Sequence, residues 1–260
     1  MEIKMALSRK LTTFAAAALS LGVLTGTPAQ SGVIQLGFII DESGSIGSSA
    51  YTIIKQGLHD AIDTLIPTNS SYELTVISFA SGTQTLVNRV LIDSAVTRAA
   101  AADAVLADGF TSGGTNMTAA FNAMNSVLTG SSLDIDASYV NLATDGVANS
   151  ESNAAAARNN LIGTGVGQAG VDNLSIEAIG GGVDATFLQN SICFPGPCTI
   201  APVFNFPSQG FYIAVPDANG YASAIGNKIL VVTEQIPEPG MIAIFGLGIL
   251  GLAIARRRAI

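Results

Sequence analysis

Three short stretches of this chain carry oxygen donors of the kind that hold a hard divalent cation. Asp41-Glu42-Ser43-Gly44-Ser45 offers a carboxylate and two hydroxyls at alternate positions. Gly113-Gly114-Thr115-Asn116 adds a hydroxyl at Thr115, and Ala143-Thr144-Asp145-Gly146 adds a second carboxylate. Carboxylates and hydroxyls suit Mg²⁺, Mn²⁺ or Ca²⁺ better than zinc. Two carboxylates roughly neutralise one such ion, and three hydroxyls fill further positions. In a six-oxygen shell a position is left for water or a partner's oxygen. Each piece also has a plainer reading. Ser43 and Ser45 can cap a following helix, Thr115 can be an N-cap, and Asp145-Gly146 can be a simple turn.

The elements around these stretches argue for the joint reading. Val33 to Ile40 is a mostly apolar run that reads as a buried strand, and Asp41 follows it directly. Ser49 to Leu65 is a helix, with Ile53, Ile54, Leu58, Ile62 and Leu65 recurring at three and four, and Pro67 stops it. Glu73–Phe79 and Thr83–Ile92 read as a hairpin around a tight Ala-Ser-Gly turn. Helices are expected over Val96 to Leu106 and Met117 to Leu128, the second starting just past Thr115. Tyr139–Ala143 is a strand, Asn153 to Ile162 a short helix, Leu174–Ile179 and Phe211–Val215 strands, and Ala218 to Thr233 the last helix. Strands alternating with helices predict an α/β fold. It is a doubly wound, mostly parallel sheet with one antiparallel edge strand and helices on both faces. Ligands of such sheets bind at the strands' C-terminal ends, where all three stretches fall.

With that spacing the chain resembles a von Willebrand factor type A (VWA) domain over roughly Val33 to Gln235. The resemblance implies a metal-ion-dependent adhesion site, with Asp41, Ser43 and Ser45 in its first loop, Thr115 in its second and Asp145 in its third. It implies Mg²⁺, or Mn²⁺ or Ca²⁺, bound there, and a ligand carboxylate completing the shell. By alternation Glu42 points away. Asn116, Thr144 and Asn149 are placed to support the ligands by hydrogen bonds.

Both ends read as processing segments. Lys4, Arg9 and Lys10 precede an apolar stretch from Leu11 to Leu24, then Thr27-Pro28-Ala29, which is the pattern of a secretory signal peptide over 1–29. An uncleaved anchor is the alternative. At the other end Pro237-Glu238-Pro239 precedes an apolar run over 240–255 and then Arg256-Arg257-Arg258. The run is slightly short of the roughly 20 residues of a full span, and flanking arginines extend it. Three basic residues after it predict a cytoplasmic C-terminus. The order resembles the PEP-CTERM sorting signal. That resemblance implies handling by an exosortase near Pro237-Glu238-Pro239, transient anchoring in the membrane, and delivery to the surface of a Gram-negative bacterium. A plain tail anchor is the alternative.

The segment between, 30–236, carries five basic residues against 17 acidic ones, leaving a charge of about −12. Such a surface repels nucleic acid. Export places Cys193 and Cys198 in an oxidising compartment, which favours a disulfide between them, contributing about 2 kcal/mol by chain entropy. Phe187 to Gln209 holds both cysteines and four of the nine prolines without periodicity, and reads as a surface insertion with room to lie near the binding face.

The function expected is an exported binding or adhesion module whose cation grips an acidic group on a protein or matrix polymer. A structural matrix component, in which the metal only stabilises the fold, is the alternative. An enzyme is not expected. The single histidine, His59, lies in a helix away from the motif, and no Gly-x-Ser-x-Gly elbow or phosphate loop is present.

Overall fold

A computed structural model of the chain describes residues 32–234. The signal segment, the sorting segment and the apolar run over 240–255 lie outside the described residues. The core of the fold is β1 (Val33–Asp41), whose nine residues are all buried. A strand buried on both faces must be apolar along its whole length, and this one nearly is. Leu36, Phe38 and Ile40 turn to one side of the sheet and Ile39 to the other.

Seven strands form one sheet in the order β3-β2-β1-β4-β5-β7-β6. They are β1, β2 (Tyr72–Phe79), β3 (Thr83–Leu91), β4 (Ile135–Thr144), β5 (Asn173–Ile179), β6 (Thr199–Ile200) and β7 (Phe211–Val215). Only the β2–β3 edge pair is antiparallel, as the hairpin predicts. On one face pack α1 (Gly47–Leu65), α2 (Ala95–Leu106) and α6 (Ala218–Glu234), burying Tyr51, Ile54, Leu58 and Ile62 of α1 with Tyr221, Ile225 and Ile229 of α6. On the other lie α3 (Met117–Leu128) and α4 (Glu151–Ile162), burying Phe121, Met124, Leu128 and Leu161.

The structure departs from the expectations in two places. β4 begins at Ile135, four residues before Tyr139, because Val33 of β1 offers it a backbone partner, with a register shift after that pair. Polar Asp136 and Ser138 hide that start from any apolar count. Phe187 to Gln209 contains a one-turn α5 (Ala185–Phe187, shared with the preceding loop), a π-helical turn over Leu188–Ile192 and the two-residue β6. The insertion does not stay beside the binding face. It descends to the opposite end of the sheet, where Phe194 bonds both ways with Leu174, and Asn173 donates to the carbonyls of Pro207 and Gln209. The Cys193–Cys198 disulfide is formed there. Arg158 of α4 clamps the loop by donating to the carbonyls of Ile192 and Cys193. No helix among the described residues is long and apolar enough to cross a membrane.

β1 and α3 approach closely at Gly37. A Cβ there would lie 2.9 Å from Met124 Sδ and 3.0 Å from Val140 Cγ2. Gly37→Val should therefore overpack the centre of the fold and lower stability by about 1–3 kcal/mol, read as a lower urea midpoint. An unchanged midpoint would contradict the close approach.

Candidate metal centre

Three loops meet at the C-terminal end of the parallel strands. The first follows β1. Asp41 Oδ1 accepts from the backbone N–H of Ser43 at 2.7 Å, which folds the loop back over the strand end. The hydroxyls of Ser43 and Ser45 lie 3.1 Å apart. α1 is capped by Ile46 with no side-chain bond, so neither serine serves as its N-cap. Both are left to face the third loop.

That loop follows β4, the neighbour of β1. Ser45 Oγ donates to Asp145 Oδ1 at 2.7 Å. Thr144 Oγ1 donates to Asp41 Oδ2 at 2.6 Å and accepts from Gly146 N–H at 3.2 Å. Thr144 thus holds Asp41 in place and fits the supporting role expected of it. Thr115 arrives from the second loop. A Cβ on Gly146 would lie 2.8 Å from Thr115 Oγ1 and 3.5 Å from Ser45 Oγ, so the lack of a side chain at 146 leaves room for both hydroxyls beside the third loop. Asn116, not Thr115, is the N-cap of α3, its Oδ1 accepting from Ala119 N–H at 3.1 Å. Thr115 is therefore also free of the plainer role. Asn149 clasps it, accepting from Thr115 N–H at 2.9 Å and donating its own N–H to the Thr115 carbonyl at 3.0 Å. The expected Asn116 contributes support to the second loop only.

Two further supports have no sequence signal. Ser81, in the β2–β3 turn, accepts from Gly114 N–H at 2.9 Å, and its carbonyl accepts from the Asn116 amide at 3.0 Å. Glu42 turns away from the three loops, as alternation predicts, but is only 2% exposed. It accepts from Thr111 N–H at 2.9 Å and from Ser78 Oγ at 3.3 Å, tying the segment before the second loop to β2.

The electrostatics favour a cation. Asp41 is 1% exposed. Burial pushes its carboxyl up to about 6, against the hydrogen bonds from Ser43 and Thr144, and the nearby Asp145 charge adds to the rise. Burial raises Asp145 as well. Among the described residues no basic side chain pairs with either acid. Nor do three His, Cys, Asp or Glu side chains cluster among them to hold a metal, so a cation at these loops would rest on the two carboxylates and three hydroxyls expected from the sequence. That set fits a hard divalent ion in charge and in donor type. His59 sits on α1 beside Asp60 and Asp103, apart from the loops.

A parallel α/β sheet with an oxygen-rich cluster at its switch from β1 to β4 defines the class, and the comparisons place it. The von Willebrand factor type A domain matches residues 35–192, more than half the chain, and the chain belongs to that family. The PEP-CTERM protein-sorting motif matches residues 235–258. No curated protein matches the chain in sequence. Among solved structures it is similar to a von Willebrand factor type A protein of Catenulispora acidiphila, at 20% identity and a TM-score of 0.58, covering 76% of this chain and 42% of that one. It is similar to proximal thread matrix protein 1 of the mussel byssus, solved with a zinc-occupied MIDAS motif, at 16% identity and 0.55, covering 78% and 46%. Manganese-loaded TRAP protein of Plasmodium vivax matches at 22% and 0.54, covering 76% and 72%. The chain thus spans less than half the length of the first two.

Asp41 binds its proton more tightly in the fold than in the unfolded chain. Without a cation its contribution to stability is full below its ordinary value of 3.8 and is lost as pH rises through about 6. A bound cation takes the carboxylate instead. The gap in melting temperature between Mg²⁺ and chelator should widen from pH 5 to pH 7, and Gly146→Ala should narrow it at every pH by displacing Thr115. A gap independent of pH would contradict this account of Asp41.

Proposed function

We propose that the protein is an exported, surface-sorted binding module that grips an acidic group through one divalent cation. The observation that carries the reading is the convergence of Asp41, Ser43, Ser45, Thr115 and Asp145, with Asp41 buried and lacking any basic partner. Mg²⁺ is the expected ion, with Mn²⁺ or Ca²⁺ as substitutes. When bound it would supply the positive charge that draws a ligand carboxylate. Asp41 and Asp145 would hold it, Ser43, Ser45 and Thr115 would complete the protein side of the shell, and Thr144 and Asn149 would fix their positions.

The rest of the molecule supports an outward-facing role. α6 begins at the metal end and its 17 residues run about 25 Å back along the sheet. Glu234, the last described residue, therefore lies toward the end opposite the metal loops, and the sorting motif matches from residue 235. A tether there would present the loops away from the membrane. That motif supports exosortase handling, transient membrane anchoring and a bacterial cell-surface location as part of this reading. The five basic side chains of this segment are engaged elsewhere: Lys55 and Lys228 are buried, Arg98 and Arg158 donate to carbonyls of Ile66, Ile192 and Cys193, and Arg89 donates to Asn88 and lies beside Gly130, past the C-terminal end of α3. A cation would then be the main positive feature of this face, which selects for carboxylate ligands and against nucleic acid.

The test is binding to a carboxylate-rich polymer and to its methyl ester, in Mg²⁺ and in chelator, with Asp41→Ala alongside. Binding confined to the free carboxylate with Mg²⁺, and lost in the variant, is expected. Equal binding by the variant would overturn the reading. Cation-dependent stability without any binding would favour a structural matrix component.

A further inference from the structure

An amine, a carboxamide and a carboxyl group meet inside the fold, between the sheet and α6. Asn141 of β4 pairs with Ser175 of β5, and Ala143 pairs with Glu177. Residues two apart on a strand share a face, so Asn141 and Glu177 stand together on the side that α6 covers. They are 1% and 0% exposed, and the Asn141 amide bonds to the Glu177 carboxyl. Lys228 of α6 is 4% exposed and completes the group. Its terminal nitrogen donates to the Asn141 side-chain carbonyl and, at 3.3 Å, to the carbonyl of Val140. The same nitrogen lies 5.1 Å from the centre of the Phe211 ring.

A buried ion pair between Lys228 and Glu177 is the plainer reading. Such a pair rarely recovers its desolvation cost. Nor does it need a carboxamide bonded to both partners. With Asn141 in that position, the three groups are a nucleophile, an acyl carbon and a proton carrier, already in contact. We propose that Lys228 and Asn141 join in an intramolecular isopeptide bond, Nζ to Cγ, with Glu177 carrying the protons, so that α6 is tied covalently to β4.

The step balances without any other reactant. Lys228 gives one proton to Glu177 and becomes a neutral amine. The lone pair on Nζ attacks Cγ of Asn141 and forms the new C–N bond. Glu177 passes its proton to Nδ2 and takes a second one from Nζ. The Cγ–Nδ2 bond breaks, one ammonia leaves, and Glu177 ends protonated. Nothing is oxidised or reduced.

The surroundings favour each part of that step. Burial lowers the Lys228 ammonium to about 7 and raises the Glu177 carboxyl, so both tend to the neutral forms that the attack requires. Tyr221, close enough to feel the Glu177 charge, and Tyr139 are the other titratable groups at the cluster. Leu36, Phe38, Ile229 and Val232 wall it from water, which would otherwise compete for the acyl carbon. A cavity of about 10 Å³ beside Lys228 and Asn141 is roughly one water in size, which gives a departing ammonia a place to go. The bond would also act where the chain needs strength. α6 ends at Glu234 and the sorting motif matches from residue 235, so a pull on that tail would pass through Lys228 to the middle of the sheet. The inference does not depend on the metal site.

Peptide mapping of the folded full chain by mass spectrometry tests it. The segments that carry Asn141 and Lys228 should appear joined, one ammonia lighter than their sum. Lys228→Met should return the Asn141 segment to its sequence mass. Glu177→Gln, which keeps the shape and removes the acid, should slow the joining by about 100-fold or more in chains whose circular dichroism matches the wild type. Separate segments at their sequence masses, recovered from the folded wild type after prolonged incubation, would overturn the proposal. So would a cross-link that has lost water instead of ammonia, or one that forms equally fast in Glu177→Gln.

Discussion

The first and third loops of the metal end hang on the bond between Thr144 and Asp41. β1 and β4 are neighbours in the sheet, and their last residues are held in register by backbone pairing up to Ile40 and Ala143. The next step on each strand would carry a hydroxyl and a carboxylate past each other. Instead Thr144 donates to one oxygen of Asp41 while Ser43 N–H takes the other. A carboxylate fixed at both oxygens cannot rotate into solvent. Its position then dictates where Ser43 and Ser45 stand, and Ser45 in turn holds Asp145. The second loop is built separately, by Ser81, Asn116 and Asn149, and delivers Thr115 to the same spot.

The same sheet carries two different economies of burial. At the metal end a charged group is buried but generously hydrogen-bonded, so it is held firmly and needs only a counter-charge. Under α6 the buried carboxylate of Glu177 has the buried Lys228 ammonium as its counter-charge, and Lys228 donates to Asn141 and to the Val140 carbonyl. The insertion closes the far end through Arg158 and the Cys193–Cys198 bridge.

Much of this was legible in the sequence because the signals are local. β1 is apolar over its length and stops at an acid. α1 repeats at helical spacing and ends at a proline. Asp41, Ser43, Ser45 and Asp145 sit at or just past the ends of β1 and β4, while Thr115 sits in the loop between α2 and α3. What was hidden depends on partners far away in sequence. Glu42 bonds Thr111 across 69 residues, and Ser81 bonds Gly114 across 33. No local pattern encodes either. The early start of β4 exists only because Val33 stands beside it. The polar seat of α6 was likewise invisible, since Glu177 and Lys228 look like ordinary surface charges until the fold brings them inside.

The most direct measurement is a titration with Mn²⁺ followed by electron paramagnetic resonance of the free ion. The account predicts one Mn²⁺ per chain, displaced by Mg²⁺, and loss of that site in both Asp41→Ala and Asp145→Asn with the fold intact. Retention of the site in Asp41→Ala, or no saturable binding by the folded wild type, would contradict it.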